Sequence, residues 1–408
     1  MRKFFIVSII LCLFFPNLVL AESLEIYSEN MVLYNLNEDK MIDEKNKDEQ
    51  ISIASMTKIM TAYVAIQHID NLEEEVVLTS NVFAGLTEVN AAVAGFRIGE
   101  KVTYLDLLYG TLLPSGADAT NALAIFLAGN QATFVEWMNA EAARLQLKNT
   151  HFVNIIGLDQ KGQYSSVSDV AIVLKEAYQN ETFKKIFTSS SYTTSNQRLT
   201  FYSTFQRILN RLKLNANYVK GAKTGFTPNA GRCLATIAYD EKEDITYLLV
   251  TAKAPITTSY YHVMDAITIY EYYFENYGYQ KLVKKGDTLV TLDTKNSNVK
   301  SVSIMATEDI LYYLKNDYSL DDVTLIYDGI TTISHKNQVG EELGIMTVYY
   351  QDEEVTTIPI ILDQKVPFSI WTYLQNYIEI VWIGFGLVLI SLCIIIRLVY
   401  RKKEKIVS

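Results

Sequence analysis

The chain has 408 residues, 49% of them hydrophobic, with 36 Lys+Arg against 46 Asp+Glu and a formal net charge of −10. Two basic residues at the start and a surplus of four positive charges from Arg397 onward leave −16 on the stretch between, which argues against nucleic-acid binding. The length suits two domains with buried cores, and the apolar runs are too few for an α-helical polytopic membrane protein.

At the start, Arg2 and Lys3 precede an apolar run over 4–15, with Val19 and Ala21 before Glu22. This pattern predicts a secretory signal, residues 1–21, cleaved after Ala21. Of the three cysteines, Cys12 leaves with that signal and Cys393 lies in a second apolar run near the end. Cys233 then stands alone, so the exported part forms no internal disulfide and relies on its core.

Residues 31–34 and 40–42 read as two short strands around a polar turn. Next comes Ala54-Ser55-Met56-Thr57-Lys58. If a helix begins near Ser55, positions i and i+3 share a face and the hydroxyl can meet the amine. Lysine takes a proton from serine only when neutral, which requires burial or a second cation nearby. The pair therefore predicts a buried site with a further positive group. Ser297-Asn298-Val299-Lys300 matches the same spacing by chance, in a polar region with no partners.

Apolar positions Ile59, Ala62, Tyr63, Ala65 and Ile66 continue the first helix as a core helix. Residues 104–147 keep helical periodicity, broken by Pro114-Ser115-Gly116. A turn-rich link over 149–159 leads to a helix over 168–178. Gly221-Ala222-Lys223-Thr224-Gly225-Phe226 then leads into a strand over 233–238, paired as a hairpin with 246–251. An aromatic helix over 259–277 packs on that sheet. From 280 to 362, short β-branched runs separated by turns predict a small all-β module. Residues 380–396 carry no charge and lie before Arg397, Arg401, Lys402, Lys403 and Lys405. That run, extended to 400, predicts a membrane helix with its basic tail inside.

Three boxes now stand in order: Ser55-x-x-Lys58, Ser115-Gly116-Ala117 and Lys223-Thr224-Gly225. With Leu112-Leu113-Pro114, Thr150-His151-Phe152-Val153-Asn154 and Phe226-Thr227, the chain resembles the serine D-alanyl-D-alanine carboxypeptidases, the low-molecular-weight penicillin-binding proteins. The resemblance implies an α/β (α+β) peptidase domain of the β-lactamase/transpeptidase kind, with an antiparallel sheet flanked by helices, then a β-rich domain and one transmembrane helix. The expected organisation is signal 1–21, peptidase domain 22–278, β-rich domain 279–363, juxtamembrane linker 364–379, membrane helix 380–400 and cytoplasmic tail 401–408.

The resemblance also implies roles. Ser55 is the acylated nucleophile, Lys58 its base, and Ser115 a proton relay. Lys223 is the second cation that keeps Lys58 neutral and helps bind substrate. Thr224 meets the terminal carboxylate. Gly225 completes the box, and the N–H groups of Ser55 and Phe226 form the oxyanion hole. The expected substrate is a peptidoglycan stem peptide ending in D-Ala-D-Ala, with β-lactams as covalent inhibitors, no cofactor and no metal. The expected place is the outer face of a bacterial cell membrane. In one departure, Ala117 stands where the family usually has asparagine, which puts the level of activity in question.

Rival readings are weighed on the same residues. A β-lactamase needs a deacylating base, and no Glu-x-x-Leu-Asn run occurs. The histidines His68, His151, His262 and His335 show no zinc-ligand spacing, and no Gly-x-Ser-x-Gly marks a Ser-His-Asp hydrolase. His151 reads as a structural residue. A non-catalytic wall-binding scaffold of the same fold remains the alternative from a different class.

Overall fold

The two strands expected near the start form β1 (Asn30–Asn35) and β2 (Lys40–Lys45), an antiparallel pair at one side of a five-stranded sheet. The computed structural model describes residues 24–257 and 259–407, so the expected signal segment lies outside the described residues. The sheet runs β2, β1, Ile245–Ala254, Gly231–Asp240, Val219–Thr227, antiparallel throughout. The strand over 219–227 is one the sequence reading missed. The Lys223 box lies inside this edge strand, with Lys223 opposite Ala235, instead of leading into a strand.

Alternation along the strands buries both faces. Val32, Ala235, Ile237, Leu248, Val250 and Ala252 join the main helical core. Leu33, Thr236, Tyr247 and Leu249 are buried on the other face, where the helix Tyr261–Asn276 packs and Tyr270 meets the Thr236 hydroxyl at 2.8 Å. The main core is built around α1 (Thr57–Gln67), whose residues from Thr57 to Ala65 are all buried. A helix apolar on every side can only be an interior one.

The helical region around 104–147 splits into α2 (Tyr104–Leu112), α3 (Ala117–Ala128) and Gln131–Arg144. Thr103 and Asp106 close α2 with reciprocal side-chain-to-backbone bonds, a capping box that fixes where the helix begins. Pro114-Ser115-Gly116 turns the chain between α2 and α3, with Ser115 in left-handed backbone at φ +66°.

The chain divides into two units, the second beginning at Asn276. That unit holds short sheets around a core that includes Leu292, Ile304, Ile333, Val348 and Ile360. It has strands at Tyr277–Val283, Ile310–Lys315 and Thr332–Ser334 beyond the runs expected from sequence. The chance match Ser297–Lys300 falls in a turn of this unit. Ile380–Val399 is 20 residues long with mean hydropathy 2.5, long and apolar enough to cross a membrane. Its helix runs from Ile370 to Val407, so it also takes in much of the stretch expected to be a connector.

Candidate active site

A nucleophile needs to be reachable and its base needs to be dry. Ser55 sits in the 3-10 turn Ala54–Met56 that opens α1 and is half-buried, while Lys58 one turn on is buried. The Lys58 ammonium nitrogen lies 3.1 Å from Ser55 Oγ and donates to the Ile156 carbonyl at 2.9 Å. Burial pulls Lys58 down to a pKa of about 7, against the opposing pull of the Asp118 carboxylate. At neutral pH a large share of Lys58 is therefore free amine, the form that can take a proton.

Across the cavity, Lys223 is fully buried and donates to Ser115 Oγ at 2.9 Å and to the Thr224 carbonyl at 3.0 Å. Burial first, and then the Lys58 charge, hold its pKa well below the usual lysine range. Burial leads the shift at both lysines, and two ammonium groups packed into one dry site cannot both stay charged. Ser115 is likewise hydrogen-bonded to Lys223, with no such bond to Lys58.

Two glycines let the nucleophile turn approach its neighbours. Ala54 adopts φ +46°, and its carbonyl packs against Gly157, itself at φ +82°, so closely that a methyl group there would overlap it. On the other side, a methyl on Gly225 would meet Ile53 O at 3.1 Å and Ser55 N at 3.2 Å. The third position of the Lys-Thr-Gly box is thus glycine because the edge strand passes against the backbone of the nucleophile. Strained backbone at Ala54 and Ser115, of the order of 1–3 kcal/mol each, is held in place by this surrounding packing.

The loop before Leu158 was missed as a site element. Asn154 Oδ1 accepts from the N–H groups of Gly157 at 2.7 Å, Leu158 at 3.1 Å and Ile156 at 3.3 Å, which aims the Ile156 carbonyl at Lys58. The sequence signals were a turn-forming Asn and Gly and the Thr150–Asn154 motif of the resemblance, to which no role in the site was given. Asp118 does similar work opposite: its carboxylate accepts from Ala94, Gly95 and Phe96 N–H at 2.7 to 3.1 Å and fixes the loop that closes the cavity. His151 Nδ1 lies 2.8 Å from the Gly162 carbonyl, and His151 is not among the residues that line the cavity.

The resulting cavity holds about 310 Å³ and is lined by Ser55, Lys58, Ser115, Ala117, Thr224, Gly225 and Phe226 among others. Every one of the sequence-predicted site residues except Lys223 lines it, and Lys223 lies directly behind Ser115. Among the described residues that line it there is no carboxylate. Thr224 shares its hydroxyl with Thr204 at 2.7 Å, which orients it at the cavity wall. Among the described residues no cluster of His, Cys, Asp or Glu is arranged to hold a metal ion.

A helix-flanked antiparallel sheet with a Ser–Lys pair at the mouth of its interior helix defines a serine acyl-transfer hydrolase. A family model described as D-alanyl-D-alanine carboxypeptidase (peptidase S11) matches residues 17–254, and one described as the C-terminal domain of penicillin-binding protein 5 matches 277–367. The chain belongs to the peptidase S11 family of D-alanyl-D-alanine carboxypeptidases.

Similar proteins include the D-alanyl-D-alanine carboxypeptidase DacF of Bacillus subtilis, 29% identical over 340 residues that cover 82% of this chain and 84% of that one. Another is DacA of Escherichia coli, 35% identical over 231 residues, 52% of this chain and 53% of that one. The solved Streptomyces K15 DD-transpeptidase superposes with a TM-score of 0.55 at 28% identity, covering 62% of this chain and 98% of that one. Penicillin-binding protein 5 from Haemophilus influenzae shares the fold, with a TM-score of 0.61 at 24% identity over 84% of this chain and 98% of that one. Neither the scaffold nor the β-lactamase reading finds support in these relatives.

Proposed function

We propose that the chain removes the terminal D-Ala from peptidoglycan stem peptides through an acyl-enzyme on Ser55. The observation that carries this reading is the 3.1 Å approach of Lys58 Nζ to Ser55 Oγ, with burial holding the amine near a pKa of 7. Ser55 Oγ attacks the penultimate D-Ala carbonyl as its proton passes to neutral Lys58. The N–H groups of Ser55 and Phe226 receive the oxyanion, where each well-placed donor is worth about 3 kcal/mol. Collapse breaks the peptide bond, and the leaving amine takes its proton through the Ser115–Lys223 pair. Thr224, oriented by Thr204, meets the substrate's carboxylate end, and Gly225 keeps the strand close enough for these contacts. Water then hydrolyses the ester and regenerates Ser55.

The same chemistry opens a β-lactam ring, and a cavity wall without a carboxylate supplies no base to hasten release of the penicilloyl ester. Intact mass after exposure to benzylpenicillin tests the reading: the wild-type chain is expected to gain one penicilloyl group and Ser55→Ala none. Modification of the Ser55→Ala protein at the same rate would remove Ser55 as nucleophile. The helix over Ile380–Val399 supports a membrane tether with the peptidase unit outside.

Ala117 opens α3, buried at the cavity wall where the family usually presents an amide. Lys58 bonds the Ile156 carbonyl, and alanine at 117 offers it no side-chain acceptor. Ala117→Asn is expected to raise kcat/KM for D-Ala release by about 10-fold, the effect of one further hydrogen bond to a charged group. Steady-state kinetics on a D-Ala-D-Ala peptide measure it.

A further inference from the structure

At one end of the second unit, three segments distant in sequence meet around the start of the long helix Ile370–Val407. The strands Thr288–Lys295 and Thr332–Ser334 run parallel, with Lys295 opposite Ser334, so the turns that follow them lie at the same end. The chain entering the helix is tied to both turns. Ser369 N–H donates to the Asn296 carbonyl at 2.8 Å, the Thr372 hydroxyl donates to the Ser297 carbonyl at 3.0 Å, and the Phe368 ring lies 4.6 Å from that of His335. Ser297 is buried at this junction.

The charge at the junction is one-sided. Residues 295–300, 334–338 and 364–372 carry Lys295, Lys300, Lys336 and Lys365 and not one Asp or Glu, within a stretch of chain whose balance is −16. All four lysines are exposed, and among the described residues none of them forms an ion pair. Glu341 is held inside its own turn, accepting from Asn337 Nδ2 at 3.0 Å and Gln338 N–H at 2.8 Å, and Asp293 stands two residues back along its strand. Val299, Phe368 and Trp371 are exposed among these lysines. From Ile380, where the apolar span begins, the helix rises about 12 Å to Thr372. Headgroups fill about 5–7 Å of that rise, and the remaining 5–7 Å or so lies inside a Debye length of about 8 Å. The lysines therefore feel headgroup charge without entering the bilayer. Lys295, Lys300 and Lys336 are too far from the span in sequence to weigh against the basic tail that sets its orientation.

We propose that this end of the β-rich unit is a docking face for anionic phospholipid headgroups of the membrane that the helix crosses, with Lys295, Lys300, Lys336 and Lys365 as its charged contacts. The inference rests on reading Ile380–Val399 as a membrane tether and goes beyond it. A span by itself fixes a point of attachment and is indifferent to headgroup charge on this side. Lysines held against the start of the helix by the Ser369 and Thr372 bonds draw the unit down onto an anionic surface, so its stance responds to lipid composition and to salt.

The test uses the full chain in lipid nanodiscs, with Asn298→Cys carrying a fluorophore and Cys393→Ser so that only the turn is labelled, Cys233 being buried. A quencher attached to the headgroup of a zwitterionic lipid reads how close the turn comes to the surface. Replacing about a third of the zwitterionic lipid with phosphatidylglycerol is expected to raise quenching at least about 2-fold. Salt at about 1 M, where the Debye length is ~3 Å, should cancel the rise. The rise should also vanish in the combined variant Lys295→Gln, Lys300→Gln, Lys336→Gln, Lys365→Gln. It should persist in Lys284→Gln, Lys285→Gln, which removes charge before the other end of the Thr288–Lys295 strand. The salt arm is read on the four native lysines, so the proposal stays open to refutation even where the combined variant misfolds. No rise with phosphatidylglycerol, a rise that survives salt or the four substitutions, or an equal loss in the Lys284, Lys285 variant would each overturn the assignment. Failure of the tether reading shows elsewhere, as release of the chain from vesicles by alkaline carbonate.

Discussion

Replacing Lys58 with arginine is expected to lower kcat/KM for D-Ala release by about 100- to 10,000-fold, the usual worth of a positioned general base. Arginine keeps the positive charge and a similar length, yet it stays protonated at every working pH. Lys58 differs because burial brings it to a pKa of about 7, against the pull of Asp118. The active form is the neutral amine, so activity rises with pH. In the wild-type enzyme kcat/KM should climb about tenfold per unit below pH 6, bend near pH 7 and level off above pH 8. The bend belongs to the Lys58–Lys223 pair as a unit, since protonating either one disfavours charge on the other. In Lys58→Arg that ascending limb should vanish. A wild-type profile that is flat between pH 5 and 9, or a limb that survives the substitution, would assign the base to another group.

Gly157→Ala is expected to unfold the site although it changes no reacting atom. The added methyl would overlap the Ala54 carbonyl, and the residue holds φ +82°, where alanine is strained. Overpacking of about 1–3 kcal/mol and a left-handed penalty of similar size give a loss of roughly 3 kcal/mol. For a domain of this size that lowers Tm by about 6–12 °C. Because Gly157 touches the nucleophile turn, and its neighbour Ile156 holds Lys58, a shift of about 1 Å should also cost on the order of 100-fold in kcat.

Gly129→Ala is the matched comparison. It sits at φ +80° at the end of α3 with nothing near its Cβ, so it carries the backbone penalty alone. Thermal melts and kinetics on the two variants separate packing at the nucleophile from backbone strain. Equal effects at both glycines would show that the close approach at Ala54 has no special weight.

Much of the site was legible in the sequence because acyl transfer requires side chains of fixed identity. Ser55 and Lys58 declare themselves by spacing on a helix, and Ser115 and Lys223 by the boxes around them. The class of fold followed from the same order of boxes, with strand alternation and helical periodicity in agreement. The strand over 219–227 was harder to read, since Lys223-Thr224-Gly225 carries polar and small residues where an edge strand borders a cavity.

What only the tertiary structure decided involves groups with no side-chain signature or contacts made across long stretches of chain. The carbonyl that receives Lys58 comes from Ile156, 98 positions away, and any residue could have offered one. Gly157 and Gly225 matter for a Cβ they lack, visible only once the Ala54 turn lies against them. That Lys223 bonds Ser115, and that burial leads the shift at Lys58, depends on how far each amine lies from water. The chemistry of this enzyme is thus written in residue types, whereas its tuning comes from desolvation and close backbone approach, which arise only when distant segments pack.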